Sequence, residues 1–149
     1  MGRLLIVHHS PTENTRQIFE AVHAGTSMDE LEGVETVVRG ALEATAEDLL
    51  TADGVILGTT ANFGYISGAL KHFFDSTFND THERTAGRPF SYWIHGGYDT
   101  TGAEQAMQSI TTGYGLKLVT PPVVFTGEVT QSHRDAAFEL GATVAATLM

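Results

Sequence analysis

Ser10-Pro11-Thr12-Glu13-Asn14-Thr15 puts three hydroxyls and an amide within six residues. Immediately after it, Ile18, Phe19 and Val22 recur at helical spacing. A helix N-terminus carries unpaired N–H groups and a partial positive charge, so such a loop can hold a phosphate with neutral donors alone. No lysine or arginine lies between His8 and Thr15. The lysine-bearing triphosphate loop is missing, and so is the three-glycine dinucleotide pattern. The chemistry left is recognition of a phosphomonoester, and a plain helix cap is the competing use of the same residues. Glu13 would repel a phosphate, so it is expected to face solvent or to pair with Arg16.

Two further segments carry small and polar residues after apolar, strand-like runs. Gly58-Thr59-Thr60-Ala61-Asn62-Phe63-Gly64 follows Gly54–Leu57, and His95-Gly96-Gly97-Tyr98-Asp99-Thr100-Thr101-Gly102 follows Phe90–Ile94. Phe63 either lines a ligand or packs its own loop. Asp99 is either a carboxylate near the ligand or a solvated turn residue. Adjacent strand residues point to opposite faces, so His8 and His9 do not readily share one metal ion. The spacing of a zinc enzyme is absent, and no metal is expected. Ser10 and Ser67 lack the glycine-flanked elbow of a hydrolase nucleophile. Lys71 and Asp75 have the i, i+4 spacing of a helix-surface pair.

The elements that must position these loops alternate between strand and helix. Arg3–His8, Val34–Val38, Gly54–Leu57, Phe90–Ile94 and Leu116–Phe125 read as strands, the last interrupted by Pro121-Pro122 and hence at a sheet edge. Thr45-Ala46-Glu47-Asp48 reads as a capping box. Gly25 reads as a helix stop. Leu70, Phe73, Phe74 and Phe78 share one face of a helix, and Asn79–Arg88 reads as a polar connection. The pattern predicts an α/β fold with a parallel sheet and right-handed crossovers. In the order 2-1-3-4-5, strands one, three and four are neighbours, and their three loops meet at the carboxyl edge where open α/β sheets bind ligands.

The 149 residues suit a single domain, 1–149, and 42% hydrophobic content suits a packed core. The 8 basic and 18 acidic residues give a formal charge of −10, which disfavours nucleic acid and anionic membranes. No run approaches the ~20 apolar residues of a membrane span. The start, Leu4-Leu5-Ile6-Val7, is too short for a signal peptide and ends at His8-His9. A soluble, cytoplasmic protein is expected. The absence of cysteine excludes thiol chemistry and leaves any redox function to a bound cofactor.

At its three loops the sequence resembles the flavodoxin-like family. Ser10, Thr12 and Thr15 match the hydroxyl positions of that family's phosphate loop, with Glu13 at a usual glycine and His8 at a usual aromatic. Gly58–Lys71 resembles the corresponding region of FMN-dependent NAD(P)H and quinone reductases, with Thr60 at a common proline. The resemblance implies a three-layer sandwich with a five-stranded parallel sheet, helices on both faces, and noncovalent FMN. The implied cofactor residues are Ser10, Thr12, Asn14 and Thr15 at the phosphate; Thr60, Ala61, Asn62, Phe63 and Gly64 along the ring; and His95, Gly96, Gly97, Tyr98, Asp99 and Gly102 at its pyrimidine side. His9 and His95 are the candidate proton donors. The implied activity is hydride transfer from NAD(P)H through the flavin to a flavin, quinone or similar acceptor. Two other readings remain open: an electron carrier serving a redox partner protein, and a non-redox phosphate-ligand or interaction domain. A homo-oligomer is a further expectation, with Asn79–Arg88 as its candidate contact.

Overall fold

Leu4, Leu5, Ile6 and Val7 are all buried, as a strand covered on both faces requires. In the computed structural model, which describes residues 2–149, they form the middle of β1 (Arg3–His8). The remaining elements in chain order are α1 (Glu13–Thr26), a 3-10 turn at Asp29–Leu31, β2 (Glu35–Gly40), α2 (Ala46–Leu50), β3 (Gly54–Asn62), β4 (Tyr65–Ile66), α3 (Gly68–Thr81), β5 (Pro89–Gly96), α4 (Thr101–Gly113), β6 (Lys117–Leu118), β7 (Val123–Thr126) and α5 (Gln131–Ala146). β1 pairs in parallel with β2 and β3, β3 with β5, and β5 with both β6 and β7. The order is thus the expected 2-1-3-4-5. The fifth strand is split into β6 and β7, because Pro121 and Pro122 between them cannot donate to a ladder.

Successive β1 residues enter opposite layers. Leu4 and Ile6 join Ile18 and Val22 of α1, Leu140 and Val144 of α5, and Trp93. Leu5 and Val7 join Leu49 of α2, Leu70 and Phe73 of α3, and Met107 of α4. The result is a three-layer α/β/α sandwich. No helix among the described residues is long and apolar enough to cross a membrane.

Three expectations change. Residues 58–62 are not a loop: β3 runs on to Asn62 and turns back antiparallel as β4, pairing Ala61 with Ile66 and Asn62 with Tyr65. The Thr59 hydroxyl anchors this extension by accepting the Ser67 N–H at 3.0 Å. Gly25 is not a stop, since α1 continues to Thr26. A Cβ on Gly25 would lie 2.0 Å from the Phe138 carbonyl oxygen, and one on Gly141 2.1 Å from that of Val22. The two glycines let the α1 and α5 backbones touch. Asn79–Arg88 begins inside α3 and is then pinned: Thr85 Oγ1 donates to the Tyr114 carbonyl at 2.6 Å and Arg88 Nη1 to the Leu49 carbonyl at 2.7 Å. The capping box at Thr45 and Asp48 forms as read.

Candidate functional site

The first loop is built by its own hydroxyls. Thr12 is the N-cap of α1. Its Oγ1 accepts the Thr15 N–H at 3.2 Å, and its own N–H donates to Thr15 Oγ1 at 3.1 Å. Thr15 is fully buried and also donates its hydroxyl to the Thr12 carbonyl at 3.0 Å. Both threonines therefore act within the turn as cap residues. The first-turn N–H groups of Glu13 and Asn14 have no helical partner and remain free to donate. Glu13 does pair with Arg16, at 3.1 Å on the exposed surface, and these bonds hold its carboxyl below the usual range. The one carboxylate of the loop is thereby engaged by a cation.

Behind the loop stands His8. Its Nδ1 lies 2.7 Å from Ser10 Oγ, and its ring stacks on Phe19 at 4.0 Å between centroids. Burial, reinforced by the neighbouring His9 and His23, lowers its pKa to about 4. His9 joins the loop to the next strand by donating its backbone N–H to the Gly58 carbonyl at 3.0 Å. Nε2 of His95 lies 2.7 Å from the Gly127 carbonyl, so that nitrogen carries a proton and donates it there. The His95 ring packs on Phe125.

The second and third loops close on each other. In the β3–β4 turn, Phe63 has φ 51° and Gly64 φ 75°. Phe63 is the one non-glycine residue among those described to adopt a positive φ. That conformation costs roughly 1–3 kcal/mol for a bulky side chain and flags a functional turn. A Cβ on Gly102 would lie 1.9 Å from the Gly64 carbonyl oxygen, so only glycine lets the start of α4 meet this turn. Gly96 likewise faces Ala61, with its virtual Cβ 3.1 Å from that of Ala61. Asp99 Oδ1 accepts both the N–H and the hydroxyl of Thr101, at 3.0 and 2.6 Å, which lowers its pKa. Asp99 is thus a turn residue at the head of α4. Thr60 sits beside His95 in the sheet register, and its buried Oγ1 has no partner among the described residues.

Phe63 and Tyr98 stand fully open to solvent, at 109% and 94% relative exposure. Leu42 and Tyr65 are exposed as well. Four of the seven exposed large hydrophobic side chains thus follow the carboxyl ends of β2, β3 and β5. Leu42 and Tyr65 were not singled out from sequence. The signal for Tyr65 was the Asn-Phe-Gly-Tyr turn, which brings it back beside Asn62. The arrangement fits FMN: aromatic groups for a planar ring, close-approaching backbone from two loops, and neutral donors at a helix N-terminus for a phosphate.

Comparison with known proteins agrees. The family model for NADPH-dependent FMN reductase matches residues 24–131, more than half of the chain and starting beyond the phosphate loop. A flavodoxin of Aquifex aeolicus is 35% identical over 112 residues, which cover 75% of this chain and 60% of that protein. An NAD(P)H dehydrogenase (quinone) of Acidithiobacillus ferrooxidans is 30% identical, covering 68% of this chain and 62% of that protein. The chain therefore spans about 60% of the length of these curated relatives. An archaeal flavodoxin structure superposes with a TM-score of 0.83 at 17% identity, covering 98% of each chain, which shows the fold. Family and donor set agree on FMN as the cofactor. By its matched core and its three convergent loops, this chain belongs to the NADPH-dependent FMN reductase family.

Proposed function

We propose that the chain holds FMN noncovalently at the carboxyl edge of its sheet and works as an NAD(P)H-dependent oxidoreductase toward a flavin, quinone or similar small acceptor. The observation that carries this reading is the strained, fully exposed Phe63 turn facing the glycine-rich loop of Tyr98. When bound, FMN supplies the redox chemistry. The Ser10 hydroxyl, the Asn14 amide and the first-turn N–H groups of α1 hold the phosphate, while Thr12 and Thr15 fix the loop that presents them. Backbone N–H groups of Phe63 and Gly64, at the turn beyond the β3–β4 pairing, meet the polar edge of the ring, and those from Gly97 to Asp99 meet its pyrimidine side. Phe63 and Tyr98 cover the ring and exclude water. Of the two candidate proton donors, His9 is the freer at its ring, because His95 already donates to the Gly127 carbonyl.

The charge of −10 favours a second reading, an electron carrier steered to a basic redox protein. One assay separates the two. The FMN-loaded protein is mixed with NADH or NADPH and a soluble quinone. Sustained nicotinamide oxidation supports the reductase. Negligible oxidation, with electrons accepted readily from a reductase partner, supports the carrier.

A further inference from the structure

The phosphate loop contains no cation, and its two threonines are engaged with each other. Ser10 is the hydroxyl of the loop whose direction another side chain sets. We propose that His8 is a positioning residue for phosphate recognition: its Nδ1–H donates to Ser10 Oγ, so that the Ser10 hydroxyl hydrogen is turned outward to the phosphate. This rests on the FMN reading above and assigns a role to a side chain behind the site.

A serine hydroxyl has one hydrogen and a neutral imidazole has one N–H. At 2.7 Å the two groups share one hydrogen bond, and the histidine tautomer decides its direction. If Nδ1 is bare, Ser10 donates inward and presents only lone pairs to the ligand, which a phosphate oxygen repels. If Nδ1 carries the hydrogen, Ser10 accepts from behind and donates forward. A bound phosphate selects the second arrangement, because only that one presents the hydroxyl hydrogen to it. The ring is held flat against Phe19, 7° from parallel, and the 2.7 Å contact with Ser10 sets which edge of it faces the loop. The titratable groups facing His8 are His9 and His23, and burial keeps it neutral at neutral pH. The loop thus gains an oriented donor without a buried charge.

The test compares FMN with riboflavin, which lacks the phosphate, by flavin fluorescence titration of the purified protein. His8→Phe keeps the stack on Phe19 and removes Nδ1. The expected result is roughly tenfold weaker FMN binding with riboflavin binding unchanged. His8→Asn offers an amide N–H near the Nδ1 position and restores FMN binding. In a Ser10→Ala background, His8→Phe has no further effect. Ring nitrogen NMR of the FMN-loaded wild type shows hydrogen on Nδ1 of His8. The assignment is overturned if the FMN-to-riboflavin affinity ratio is the same in wild type and His8→Phe, if the Ser10 and His8 effects add independently, or if Nε2 carries the hydrogen with FMN bound. A wild type that binds no FMN overturns the FMN reading and this assignment together, which distinguishes that failure from the others.

Discussion

His8 and Phe63 are the two residues whose local chemistry departs most from what their side chains prefer. His8 is kept neutral by burial, with its pKa at about 4 against 6.5 for an exposed histidine. The unfolded chain therefore takes up a proton at about pH 6.5 that the folded chain refuses until about pH 4. The His8 contribution to stability is complete above pH 6.5 and is lost as the pH falls through that window, by on the order of 2 kcal/mol once solvent screening is allowed for. Chemical denaturation between pH 7 and 4 should show this slope in the wild type and a flatter one in His8→Phe. Phe63 holds a left-handed backbone conformation with its ring in water. Replacing it with glycine removes the strain and should stabilise the ligand-free fold by about 1 kcal/mol while weakening FMN binding several-fold. Thermal melts and flavin titration check the two arms. A Phe63→Gly protein that binds FMN as tightly as the wild type would show that the ring has no part in the site.

At the scale of elements, two glycine contacts set how closely the parts approach. α1 and α5 touch at Gly25 and Gly141, where a methyl group would meet a backbone carbonyl at about 2 Å. Gly141→Ala should cost roughly 2–3 kcal/mol, read as a lower urea midpoint. Gly102→Ala has a different expected signature. Its methyl would strike the Gly64 carbonyl, at the join between two ring-side loops. Flavin affinity should fall more than global stability, because a hairpin tip can shift where packed helices cannot.

The same scale shows what was legible in the sequence. The cap at Thr45 and the helix face of Leu70, Phe73 and Phe74 are local patterns, readable from spacing alone, whereas the strand order came with the resemblance to the flavodoxin-like family. The start of α1 was readable in the same way, because the helix and its Thr12 cap lie within six residues. The continuation of β3 to Asn62 was hidden, because glycine and threonine runs read as loop until the returning β4 supplies a partner. Gly25 read as a stop because its true constraint, the Phe138 carbonyl, lies 113 positions along the chain. The gathering of Leu42, Phe63, Tyr65 and Tyr98 at the carboxyl ends of the strands exists only once the strands are aligned, and the stack of His8 on Phe19 only once α1 packs on β1.

For the whole molecule, the net charge of −10 acts on partners rather than on the fold. Turnover with an uncharged quinone should change little with salt. Electron exchange with a basic redox protein should slow as ionic strength rises and the Debye length falls to about 8 Å near 0.15 M. The same charge requires an anionic cofactor to be met by local donors, and in the site proposed above those are the first turn of α1 and the Ser10 hydroxyl. Equilibrium titration of the purified wild type with FMN, followed by flavin fluorescence, tests this account most directly. The account predicts saturable one-to-one binding, clearly tighter for FMN than for riboflavin. Absence of binding, or equal affinity for both flavins, would contradict it.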